Sequence, residues 1–125
     1  MGRLTTHVLD SARGRPAEGV AIEVWRVAGE GENRRALLKT ARTNAAGRTD
    51  APLLDDAELT LGIYELAFAV GDYFTGRPLS PHDAENVPLP FLDTVPIRFG
   101  VADPSANYHV PLLVSPWAYS AYRGG

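Results

Sequence analysis

Side chains suited to proton transfer near neutrality are scarce in this chain, which holds three histidines, His7, His82 and His109. An unperturbed imidazole titrates close to physiological pH, so a well-placed His can take or give a proton there. Alternation puts Tyr108, Val110, Leu112 and Val114 on one strand face and His109 on the other, with Pro111, Leu113 and Ser115. His7 alternates with Thr6 and Val8 and shares its face with Thr5 and Leu9. Both therefore look outward from a sheet over partly apolar surroundings. A solvated or hydrogen-bonded strand histidine shows the same pattern, so neither is diagnostic by itself. His82, in a proline-rich stretch, reads as surface. No two histidines have ligand spacing and no acidic residue flanks them in a metal motif, which argues against zinc.

Arginine outnumbers lysine eleven to one. Arg48 follows the turn Asn44-Ala45-Ala46-Gly47, where a fixed loop could present a planar fork of donors to a carbonyl, urea or carboxylate group. Arg123 is the last functional side chain, and the two glycines after it let the backbone pass close to other groups. The plain alternatives are a surface turn residue and a solvated tail. The run NYHVPLLVSPWAYSAYRGG, Asn107 to Gly125, ends in Tyr, Arg and two glycines directly after an apolar hairpin. Chain ends are more often polar and mobile.

The elements that would position these residues are short strands. Tyr64, Leu66, Phe68 and Val70 share one face of a strand over Gly62 to Val70, with Glu65, Ala67 and Ala69 on the other. Similar strands are expected at about Leu4 to Asp10, Gly19 to Val27, Ala36 to Thr43, Thr94 to Val101, Tyr108 to Ser115 and Ala118 to Tyr122. Turn-rich spacers separate them at Arg13 to Pro16, Gly29 to Asn33, Asn44 to Gly47 and Ala102 to Ser105. Pro111 cannot donate to a ladder, which favours an edge or a locally unpaired position. One short helix fits Asp72 to Arg77 with Asp72 as its cap. Leu79 to Pro90 reads as a surface loop. Seven or eight short strands with one helical turn predict an all-β, antiparallel sandwich.

At 125 residues the chain is expected to form one domain, residues 1 to 125, burying roughly two-thirds of its unfolded surface. The absence of cysteine excludes a disulfide, a thiolate nucleophile and Cys-ligated metal. A net charge of -3 argues against nucleic acid. Residues 1 to 49 carry nine Lys+Arg against five Asp+Glu, and residues 50 to 125 carry three against ten, a polarity that could steer an anion or help subunits meet. No apolar run is long enough to span a membrane and the start lacks a signal-peptide core, so a cytoplasmic location is expected.

Taken together, LTTHVLD (Leu4 to Asp10), Gly14-Arg15-Pro16-Ala17, Asn44 to Arg48, Gly62-Ile63-Tyr64, FLDTVPIRFG (Phe91 to Gly100) and His109 to Gly124 resemble the transthyretin-related proteins that act as 5-hydroxyisourate hydrolases. The likeness runs through nearly the whole chain. It implies a transthyretin-like sandwich of two four-stranded sheets and one short helix, assembled as a homotetramer, a dimer of dimers around a channel. It implies hydrolysis of the cyclic amide of 5-hydroxyisourate to 2-oxo-4-hydroxy-4-carboxy-5-ureidoimidazoline in urate degradation, with neither metal nor organic cofactor. The family's catalytic set falls on His7, Arg48 and His109. Substrate contacts are expected from Tyr122, Arg123, Gly124 and Gly125, with Pro111 and Ser120. The family pattern ends in Ser where Gly125 stands and often has His where Asn107 stands.

Amide hydrolysis without cysteine, or a serine beside a convincing base, is simplest as direct attack by water. One of His7 and His109 would remove a proton from that water while the other supplies one to the departing ring nitrogen. Arg48 and Arg123 would orient the heterocycle and stabilise charge on the carbonyl oxygen, and Tyr122 would wall the pocket. The alternatives are a non-catalytic transthyretin-like channel that binds small ligands, or a carbohydrate-binding sandwich. A carrier has no need of two histidines and two arginines at its channel, and the two tryptophans, Trp25 and Trp117, read as packing rather than as a sugar platform.

Overall fold

Alternation within β1 (Leu4–Asp10) sets the geometry of the first sheet: Leu4, Thr6, Val8 and Asp10 are buried, while Thr5, His7 and Leu9 are half-buried on the other face. The computed structural model describes residues 2–28, 34–76 and 89–125. Gly14 turns the chain at φ +68° and its N–H bonds Asp10 O at 2.9 Å, so the expected turn at Arg13 to Pro16 ends in a two-residue strand, β2 (Arg15–Pro16), paired with β1. The remaining elements are β3 (Ala21–Val27), β4 (Arg35–Arg42), β5 (Gly62–Ala69), α1 (Val70–Thr75), β6 (Thr94–Val101), β7 (Tyr108–Val114) and β8 (Tyr119–Ala121). The expected loop at Leu79 to Pro90 lies largely outside the described residues, as do His82, Arg77 and the Gly29 to Asn33 turn.

Two four-stranded sheets form, ordered β2-β1-β7-β8 and β4-β3-β5-β6. Their inner faces meet in one core that includes Leu4, Val8, Ile22, Leu66, Phe68 and Leu112. Each such fully buried side chain contributes about 1.5–3 kcal/mol relative to exposure. The all-β sandwich with one short helix is thus as expected, with one difference in direction. β1 and β7 run parallel, while the other pairings among the described residues are antiparallel. Alternation is blind to direction, because a period of two reads the same both ways.

Pro111 corrects the edge expectation, since β7 is an inner strand of its sheet and Pro111 is buried. The locally unpaired part holds: β8 pairs with β7 from Leu112 to Val114, and Gly124 in the tail beyond β8 bridges His109, leaving a gap opposite Pro111. The helix begins two residues earlier than expected and Asp72 does not cap it. Buried Val70 opens the helix, and the Gly71 N–H bonds Asp93 O at 2.8 Å, so tertiary contacts rather than a side-chain cap start this single turn. Tyr73 from α1 donates to the buried Asp10 carboxylate at 2.7 Å and ties the helix to β1. Burial would raise the Asp10 pKa, but the bonds from Tyr73, from the Ala12 and Arg13 N–H groups and the Arg13 charge outweigh it and lower it. On the second sheet Glu65 is also buried, bridging Arg35 at 3.2 Å and Arg98 at 3.1 Å, so the face opposite the core is covered by long side chains.

Candidate active site

The parallel register of β1 and β7 brings the two strand histidines to one surface. Thr5 pairs with His109 and His7 with Pro111, so His7 and His109 lie on the same outer face of neighbouring strands. Both are half-buried. Thr6, one residue away on the inner face, locks this register from below: its hydroxyl donates to Val110 O at 2.7 Å in the buried layer. The tail after β8 also contributes, where the Gly124 N–H donates to His109 O at 2.7 Å.

Arg48 arrives from a tightly bonded loop. Asn44 Oδ1 accepts the N–H groups of Ala46 and Arg48, Gly47 N–H bonds Asn44 O, and Asn44 Nδ2 donates to Asp50 at 3.0 Å. The Val8 N–H then bonds Gly47 O at 2.8 Å, docking the loop on β1. Gly47 stands at φ +76°, and an added Cβ would collide with Val8 O and sit 3.3 Å from the His7 ring. Glycine is required here by both conformation and space, and the residue after it, Arg48, lines the same cleft as His109.

The result is a cleft of ≈ 240 Å³ lined by Arg3, Thr5, Arg48, Asp50, Pro52 and His109, with the second imidazole, His7, close to His109. Burial lowers the His109 pKa from its usual value, and the nearby charges of Arg48 and His7 push the same way. Both effects disfavour the charged imidazolium and favour the neutral ring. A neutral imidazole, a fixed cation and a second histidine can activate water, donate a hydrogen bond and stabilise an oxyanion. Among the described residues no group of three or more His, Asp or Glu side chains could hold a metal ion, and no helix is long and apolar enough to cross a membrane.

The other expected contacts divide. Gly124 belongs with His109: a Cβ there would lie 2.6 Å from His109 Cδ2, so the tail backbone rests against the imidazole. Gly125 follows in open space. Ser120 is exposed on β8 opposite Leu113, four residues along β7 from His109, and Pro111 is buried beside His7. Arg123 goes elsewhere within the protomer. Its guanidinium lies 4.2 Å from the ring centroid of Tyr108, a core-facing residue, and donates to Asn107 O at 3.2 Å. Tyr122 and Arg123 line a separate cavity of ≈ 320 Å³ with Phe99, Tyr108 and Val110. Two further polar residues shape the site, Thr5, whose role the sequence did not reveal, and Asn44, which it placed in the turn before Arg48. Thr5 Oγ1 lies 2.8 Å from His109 Nδ1, and Asn44 organises the arginine loop. The Asn-to-Gly turn signal was visible in the sequence, but a threonine bonding across 104 positions leaves no local trace.

The HIUase/Transthyretin family pattern matches residues 4–124. A 5-hydroxyisourate hydrolase from Ralstonia nicotianae is 55% identical over 124 residues, covering 99% of both chains. The solved structure of Klebsiella pneumoniae 5-hydroxyisourate hydrolase aligns over 100% of each chain with a TM-score of 0.74 and 33% identity. Transthyretin from Sparus aurata superposes with a TM-score of 0.79 at 24% identity, covering 98% of this chain and 96% of the other, a likeness of fold. With family match, full-length relatives and sandwich in agreement, the chain belongs to the HIUase/transthyretin family.

Proposed function

We propose that the protein hydrolyses the cyclic amide of 5-hydroxyisourate to 2-oxo-4-hydroxy-4-carboxy-5-ureidoimidazoline, a step of urate degradation, by attack of a histidine-activated water. The observation that carries this reading is the convergence of His109 and Arg48 on one small cleft, with His7 close to His109 on the neighbouring strand, in a chain 55% identical to a 5-hydroxyisourate hydrolase. The histidine pair supplies the base and a hydrogen-bond donor and Arg48 stabilises charge on the attacked carbonyl oxygen, so the chemistry requires no metal or organic cofactor. A cytoplasmic site of action fits this role.

The working form is proposed to be a homotetramer, a dimer of dimers. Half-buried Leu9 and Leu113 and the exposed Tyr119 and Tyr122 offer apolar surface for a second copy. Arg123 points away from His109 within one protomer, so any contact it makes with substrate would come from a neighbouring copy. A spectrophotometric assay tests the activity: substrate made fresh from urate and urate oxidase should disappear faster with the protein present. His7→Ala and His109→Asn should each abolish the acceleration while circular dichroism stays unchanged. Near-normal rates in both variants would overturn the reading, and sedimentation as a stable monomer would overturn the assembly.

A further inference from the structure

The geometry points to Thr5 as a positioning residue that fixes the proton of His109 on Nε2, making His109 the hydrogen-bond donor and His7 the base. This inference rests on the hydrolase reading and assigns the two histidines that the residue types leave equivalent. Thr5 Oγ1 lies 2.8 Å from His109 Nδ1, and the parallel register sets the two residues side by side on β1 and β7. A hydroxyl can donate or accept toward an imidazole, so the bond alone is compatible with either tautomer. Among the described residues His109 Nδ1 is the one partner of Thr5 Oγ1. Donation to a bare Nδ1 is therefore the arrangement that uses the hydroxyl proton within the protein, and it leaves the ring hydrogen on Nε2.

The ring is also held on its other side. The Gly124 backbone lies so close to Cδ2 that no side chain fits between them, which opposes a ring flip that would put Cδ2 in place of Nδ1 beside Thr5. His109 is thus clamped by a side chain from β1 and by the tail. A neutral imidazole with hydrogen on Nε2 is a donor, suited to the carbonyl oxygen as it gains charge beside Arg48. His7 then takes the proton of the attacking water while the water oxygen bonds the carbonyl carbon. As the C–N bond breaks, its electron pair goes to the ring nitrogen, which receives that same proton back from His7. His109 keeps its hydrogen throughout.

The charged and titratable groups around His109 are His7 from β1, Arg48 and Asp50 from the loop after β4 and Arg3 before β1; Gly124 packs against the ring without a side chain. Thr5→Val preserves shape and removes the hydroxyl, whereas Thr5→Ser retains it. In the wild type, nitrogen-15 NMR of the imidazole should show a protonated Nε2 and a bare Nδ1 on His109. Thr5→Val should give a mixture of tautomers and a kcat lowered about tenfold or more at nearly constant KM, with Thr5→Ser close to wild type in both measurements. A wild-type His109 protonated on Nδ1, an unchanged kcat in Thr5→Val, or equal losses in Val and Ser variants would each overturn the assignment. The tautomer measurement needs no substrate, so it is independent of whether the hydrolase reading itself stands.

Discussion

At the scale of single residues, His109 is defined by what surrounds it. Burial opposes the charged imidazolium, and Arg48 and His7 add repulsion, so its pKa falls below the ordinary 6.5. The unfolded chain lacks these penalties and binds the proton first on acidification. This contribution to stability is therefore complete above pH 6.5 and is lost as the pH falls below it toward the folded-state pKa. Replacing Arg48 with Met removes the permanent positive charge beside the ring. An NMR titration of His109 should then move upward, toward 6.5, and an unchanged or lower midpoint would contradict the electrostatic role given to Arg48. The sequence marked His7, Arg48 and His109 as outward-facing or loop-borne residues of suitable chemistry. It could not mark Thr5, whose partner is 104 positions away.

At the scale of elements, the loop after β4 does the most to place the site. Its turn chemistry is local and so was legible: Asn44 bonds the N–H groups of Ala46 and Arg48, and Gly47 takes the left-handed conformation. Gly47→Ala strains that conformation and drives a methyl against Val8 O. A stability loss of about 1–3 kcal/mol is expected by denaturant titration, together with reduced kcat/KM as Arg48 shifts. Wild-type stability and kinetics in this variant would show that the loop does not need its observed geometry. The helix illustrates the opposite case. Asp72 carried the local signal for a cap, but burial of Val70 and the bond from Gly71 to Asp93 moved the start upstream, a tertiary effect overriding propensity. Similarly, Pro111 argued for an edge on local grounds, and the sheet accommodated it centrally by interrupting the ladder on one side.

At the scale of the whole molecule, the sandwich supplies a rigid outer face and the chain end closes against it. Gly124 packs on His109, and Gly125 has open space around it, so additional residues would leave the fold intact while emerging next to the imidazole. Appending a short polar extension after Gly125 should lower kcat/KM about tenfold or more with Tm unchanged; full activity would show that the tail does not border the working site. The sequence by itself determined the strands, because period-two burial is written in neighbouring residues, and with them the outward parity of His7 and His109. It also determined the turn that carries Arg48. Only the tertiary structure decided that β1 and β7 run parallel and adjacent, which sets Thr5 against His109 and His7 two residues along. It decided as well that Arg123 lies over Tyr108 on the core side of the sheet. The reason is physical: alternation specifies which face a side chain takes, whereas strand order, direction and register come from packing two sheets into one core.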